Sequence, residues 1–116
     1  MKQNNIVADK SKLFAIRIVN LYKYLCTEKK EYVISKQILR SGTSIGANIK
    51  ESIYAQSKMD FISKLSIALK EASESEYWLE LLFNTNYISQ PQFESIHSDC
   101  VELIKLLTSI IKSSKS

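Results

Sequence analysis

Few side chains in this sequence could carry covalent or metal chemistry. His97 is the sole histidine, and Cys26 and Cys100 are the only cysteines. A single imidazole excludes a multi-histidine metal centre. Two lone thiols outside any C-x-x-C pair form neither a zinc knuckle nor a disulfide framework. Both thiols read as fillers of core space in a reducing compartment, and His97 as a residue on a helix flank. Glu71, Glu74 and Glu76 cluster in one segment, where a carboxylate pair could do acid–base work. No nucleophile–base pair and no phosphate cradle accompanies them. The chain therefore reads as non-catalytic, with no metal ligands and no cofactor.

The basic residues are the other chemical resource. Sixteen Lys and Arg face twelve Asp and Glu, a formal net charge of +4, which permits a nucleic-acid partner without requiring one. The distribution is uneven. Residues 1–30 carry seven bases against Asp9 and Glu28, whereas residues 58–89 carry three bases against five acids. Lys10, Lys12, Arg17 and Lys23 run along the first helical segment. Lys29, Lys30, Lys36 and Arg40 fall around the first hairpin. These eight form a candidate phosphate-binding patch, with an ordinary solvated polar face as the competing reading. No RRM-like or KH-like pattern is present, so sequence-specific reading of RNA is not expected.

The stretch Ser41-Gly-Thr-Ser-Ile-Gly-Ala-Asn48 holds both glycines of the chain, Gly42 and Gly46, four residues apart inside a helical pattern. Each costs about 1 kcal/mol against alanine in a helix interior, so some gain must offset them. Tight helix–helix packing, a phosphate near exposed amides, and a simple kink all remain open. A phosphate loop is excluded, because no G-K-[ST] follows and no strand precedes. Arg40, Ser41, Ser44, Asn48 and Glu51 surround the glycines. Arg40, Asn48 and Glu51, with Glu71, Glu74 and Glu76 of the following segment, are expected to form a polar network that fixes helix register.

The elements that must position these residues are helices. The 116 residues are 45% hydrophobic with 2 Gly and 1 Pro, enough for one core and unlike a turn-rich β fold. Apolar residues recur at helical spacing in four segments, placed near 9–27, 33–56, 58–84 and 90–113. Asp9 or Ser11 could cap the first. Ser57 with Asp60, and Ser89 with Gln92 and Pro91 in the first turn, read as capping-box starts of the third and fourth. Short connections make an all-α, antiparallel up-down-up-down four-helix bundle. It spans 1–116 as a single domain, with about 1–8 as a loose extension. Apolar residues also lie off the main stripes. Ile16, Val19, Trp78, Ile104 and Ile111 read either as flanks of a broad core face or as a self-association surface. MKQNNIVADKSK has no apolar signal region and no stretch spans a membrane, so the expected location is cytoplasmic.

The run Gln37-Ile-Leu-Arg40-Ser-Gly-Thr-Ser44-Ile45-Gly-Ala-Asn48-Ile49-Lys-Glu51 resembles the signature of a small bacterial family. So does Phe61-Ile-Ser-Lys-Leu65-Ser-Ile-Ala68-Leu-Lys-Glu71-Ala72, continuing into Glu76-Tyr-Trp-Leu-Glu-Leu-Leu82. These are the four-helix-bundle proteins encoded by intervening sequences of 23S rRNA genes, called S23 proteins. The chain is also similar to the accessory variability determinant of diversity-generating retroelements. The resemblance covers about Phe14 to Ile111. It departs at Ser52, where the family more often has Gly. It implies antiparallel bundles assembled into ring-shaped pentamers. In the retroelement member a basic surface binds nucleic acid and a reverse transcriptase. The resemblance thus implies a self-associating RNA-binding accessory protein. A protein–protein scaffold is the alternative, and no membrane partner is expected.

Overall fold

The helix starts follow from local chemistry. The computed structural model describes residues 2–116, which form α1 (Lys2–Thr27), α2 (Ile34–Ile53), α3 (Lys58–Asn84) and α4 (Gln90–Lys115). At α3 the Ser57 hydroxyl accepts from the Asp60 amide (3.0 Å), and the Asp60 carboxylate accepts from the Gln56 amide (3.2 Å). At α4 a full capping box forms. The Gln92 amide donates to Ser89 Oγ (3.3 Å) and the Ser89 amide to Gln92 Oε1 (2.8 Å), with Pro91 in the first turn where it removes no helical bond. Asn86 takes the left-handed turn between them, at φ 69°.

Each helix packs on its sequence neighbours, and α1 closes the ring less extensively against α4. That arrangement is the expected up-down-up-down four-helix bundle. Its long dimension of 44 Å matches a 26-residue helix of about 39 Å plus its connections. Phe14 and Ile18 of α1, Ile38 and Ile45 of α2, Leu65 and Leu79 of α3, and Leu103 and Leu107 of α4 bury their side chains along the shared axis. None of the described helices is long and apolar enough to cross a membrane.

Two expectations need correcting. The first helix does not begin at Asp9 or Ser11; it runs back to Lys2. Val7 is fully buried and Ala8 packs on the core, so these residues belong to the bundle and not to a loose extension. Ser11 is buried within the helix, its hydroxyl donating to the Ala8 carbonyl (2.8 Å). Met1 lies outside the described residues. The second helix ends at Ile53, with Tyr54 as its C-cap. Ser52, at the point of departure from the family pattern, is buried in the last turn, and its hydroxyl donates to the Ile49 carbonyl (2.6 Å).

The small residues of α2 are contact points. A Cβ on Gly42 would lie 2.7 Å from Ile18 Cγ1, so α1 crosses α2 at that glycine. Gly46 faces Ser11 with more room, 3.3 Å to its Oγ. On the other side of α2 the buried Ser41 and Ser75 hydroxyls share a hydrogen bond to α3 (3.0 Å). Of the three readings of the glycine stretch, tight packing is the one the geometry supports.

Candidate nucleic-acid interface

The α1–α2 hairpin is built around one carboxylate. After Thr27 the chain must reverse, and it does so with Lys30 in the left-handed region at φ 53°. A lysine there costs about 1–2 kcal/mol that a glycine would not. The Glu31 amide returns to the Leu25 carbonyl (2.9 Å). The Glu31 side chain is 7% exposed and accepts from three backbone amides, Val33 (3.2 Å), Ile34 (3.0 Å) and Ser35 (2.7 Å). Val33, the formal N-cap, has no capping side chain, so Glu31 supplies the cap from two residues earlier. Sequence reasoning missed it, because Glu31 stands outside the usual cap position.

This hairpin presents Lys23, Lys29, Lys30 and Lys36, all exposed, with exposed Tyr32 between them. Lys29 Nζ sits 5.9 Å from the Tyr24 ring centroid. None of the four lysines forms an ion pair among the described residues, whereas three other members of the expected patch do. Lys10 pairs with Glu102 (3.2 Å). Arg17 pairs with Asp99 (2.7 Å) and also donates to the Ser95 carbonyl and hydroxyl. These two pairs tie α1 to α4. Arg40 bridges α2 to α3 through Glu71 (3.3 Å) and Glu74. Lys12 shares the face of α1 that carries Lys23, since eleven residues are only about 20° past three full turns, and it forms no ion pair among the described residues. It lines an open groove of about 410 Å³ between α1 and α2, with Lys50 and Gly46, about 17 Å along the helix from Lys23. Of the eight expected residues, Lys10, Arg17 and Arg40 are thus ion-paired, while Lys12, Lys23, Lys29, Lys30 and Lys36 are exposed and unpaired among the described residues, the last four of them around the hairpin.

The expected polar network is narrower as well. Arg40, Glu71, Glu74 and Trp78 form it, with Trp78 Nε1 donating to Glu74 Oε2 (3.0 Å). Asn48 and Ser44 stay out of it. Asn48 donates to the Ser44 carbonyl (2.9 Å), and the Ser44 hydroxyl donates to the Arg40 carbonyl (2.6 Å). Glu51 pairs with Lys64 (3.2 Å). Glu76 belongs to another face of α3 and meets His97 of α4 (2.9 Å), because five residues beyond Glu71 is about 140° around the helix. The Trp78 hydrogen bond, and then the Arg40 guanidinium, hold the Glu74 carboxyl below its ordinary value of 4.5. A depressed folded-state value adds stability above the unfolded value, and that stability is lost as pH falls through the folded one. Glu74→Gln is accordingly expected to flatten the acid limb of urea midpoint against pH below 4.5, with Trp78 fluorescence as the probe. An unchanged limb would show that the cluster carries no linkage.

Of the expected interface residues, Ile111 is buried and belongs to the core. It stands four residues beyond the buried Leu107, on the same inward stripe of α4 as Leu103 and Leu107. Trp78 and Ile104 are half-buried and pack on the core, and Val19 is half-buried. Ile16 is 51% exposed, and α1 adds Leu13 (64%) and Ile6 (45%) on the same strip. Those two were legible as steps of seven and three ending on Ile16.

Comparison with known proteins bears on this geometry. The sequence model of one family, described as 23S rRNA-intervening sequence protein, matches residues 3–109. The chain belongs to that family. A crystal structure of a protein of unknown function from the S23 ribosomal protein family of Bacteroides thetaiotaomicron is 66% identical, covers 95% of this chain and 98% of its own, and superposes with a TM-score of 0.94. No curated protein matches. In this member the glycines and Ser41 of α2 make the α1–α2 and α2–α3 contacts.

Proposed function

We propose that this family member is a non-catalytic, self-associating, cytoplasmic accessory protein that holds RNA phosphates on the lysines of its α1–α2 hairpin. The observation that carries the reading is the contrast among the basic residues. Lys10, Arg17 and Arg40 are neutralised by interhelical partners, while Lys23, Lys29, Lys30 and Lys36 gather beside Tyr32 with no acidic partner among the described residues. Lys30 keeps a charged side chain in a backbone conformation that glycine would adopt at lower cost. Exposed tyrosine among lysines suits unstacked bases and phosphates together. The strip Ile6, Leu13 and Ile16 supports self-association, which repeats the cluster in every subunit and raises weak contacts by avidity.

Filter binding of structured RNA across a salt series tests this. Replacing Lys23, Lys29, Lys30 and Lys36 by Gln is expected to weaken binding at least about tenfold and to reduce the salt slope by about 1 per lysine that contacts phosphate. Lys30→Gly is expected to stabilise the fold by about 1 kcal/mol while weakening RNA binding. Absent or salt-insensitive binding rejects the RNA reading. A protein partner recovered after nuclease treatment would then favour a scaffold, such as an accessory subunit of a reverse transcriptase. A monomer in sedimentation at micromolar concentration removes the self-association.

A further inference from the structure

One cluster of chemistry-bearing groups remains outside the hairpin and outside the Arg40 network. Glu76 and Glu80 stand one turn apart on α3, and His97 faces them from α4. One ligand atom from each lies within 4.8 Å of the others. His97 Nε2 and Glu76 Oε2 are 2.9 Å apart as a hydrogen-bonded pair, so an opening of roughly 0.5 Å would give the edge of about 3.3–3.6 Å that two donors span on one tetrahedral ion. We infer that Glu76, Glu80 and His97 form a binding site for one divalent first-row transition cation of the zinc class, clamping α3 to α4.

Three features of the surroundings fit that role. His97 is held in plane by a stack of rings. Phe93 lies 4.7 Å from it at 23°, and Phe83 of α3 lies 4.7 Å from Phe93 at 14°. A ligand fixed before the ion arrives loses little freedom on binding. Glu76 and Glu80 place like charges at i and i+4, an arrangement that is unfavourable alone and is relieved by a cation between them. The local field is negative enough to act on Cys100, whose thiol is pushed up to about 12 by burial first and then by Glu76, Asp99 and Glu80. That thiol donates to the Ala72 carbonyl (3.3 Å) and is not among the three donors that converge here. One imidazole nitrogen with two carboxylates selects zinc, cobalt or nickel over magnesium and calcium, which prefer all-oxygen shells. Water completes the shell on the half-exposed side. Binding replaces the His97–Glu76 hydrogen bond with a bond from each residue to the ion.

The test uses tag-free full-length protein, stripped with chelator and titrated with Zn2+ by calorimetry and with Co2+ by visible absorption. One ion per chain is expected, together with a rise in thermal midpoint on adding Zn2+ and none on adding the same concentration of Mg2+. His97→Ala and Glu76→Gln are each expected to weaken Zn2+ at least about tenfold. Glu80→Gln is the discriminating variant. Glu80 is exposed and forms no ion pair among the described residues, so an ordinary His97–Glu76 pair is indifferent to it, whereas the metal site loses a ligand. No saturable Zn2+ binding, affinity unchanged in Glu80→Gln and His97→Ala, or a cobalt–thiolate charge-transfer band pointing to Cys26 or Cys100 would each overturn the assignment.

Discussion

Gly42→Ala lowers the thermal midpoint by about 8 °C, and Gly46→Ala leaves it unchanged or slightly higher; this is the expected outcome for two glycines four residues apart on one helix. Alanine favours either position by about 1 kcal/mol of helix propensity. The difference lies in what the new methyl meets. At Gly42 it would stand 2.7 and 2.9 Å from the two γ carbons of Ile18 and 3.2 Å from its Cβ. Ile18 is fully buried and β-branched, so it has essentially one rotamer in a helix and cannot swing aside. α1 must shift instead, and overpacking of this kind costs about 3 kcal/mol, leaving a net loss of about 2 kcal/mol. At Gly46 the nearest atom is the Ser11 hydroxyl at 3.3 Å, which can give by a few tenths of an ångström. Thermal melts by circular dichroism at one protein concentration check both. The Ile18→Ala, Gly42→Ala double variant is expected to be more stable than the two single losses summed, since it removes the clash. If Gly42→Ala proves as stable as the parent, the close crossing of α1 over α2 is wrong.

Glu31→Ala is the second large effect. Its carboxylate is buried and receives the amides of Val33, Ile34 and Ser35. Truncation leaves three donors at the start of α2 without their acceptor. A cost of about 2–3 kcal/mol follows, at the upper end for a capping residue because the acceptor is charged and little water reaches it. Glu31→Gln keeps one acceptor oxygen and should fall between. Amide hydrogen exchange gives a local reading: the protection of Val33, Ile34 and Ser35 is expected to drop in Glu31→Ala well before that of Ile45 or Ile49. Unchanged protection at those three amides would mean that water already serves as the cap. Because the same carboxylate fixes the turn carrying Lys29 and Lys30, the variant also loosens the proposed RNA-binding end.

The comparison of expectation with structure turns on how local each signal is. The helix starts at Ser57 and Ser89 were legible because a capping hydroxyl and its partner lie three residues apart, within reach of a reading along the chain. The start of α1 was not, because what draws the helix back beyond Asp9 is burial of Val7 against other helices. The glycines could be flagged as costly, but whether the gain came from packing or from a ligand depended on Ile18, twenty-four residues away in the sequence. Glu76 was grouped with Glu71 and Glu74 by nearness in sequence, yet helical phase sends it to α4.

The sequence by itself determined four amphipathic helices, their antiparallel order and the family. Those depend on periodicity, caps and short connections, all written along the chain. Only the tertiary structure decided which charges are ion-paired and which stay unpaired among the described residues. Lys10, Arg17 and Lys29 are alike as residues, and what separates them is whether an acid on a neighbouring helix stands within about 3 Å. That distance is set by the packing of α4 on α1, which no single helix encodes.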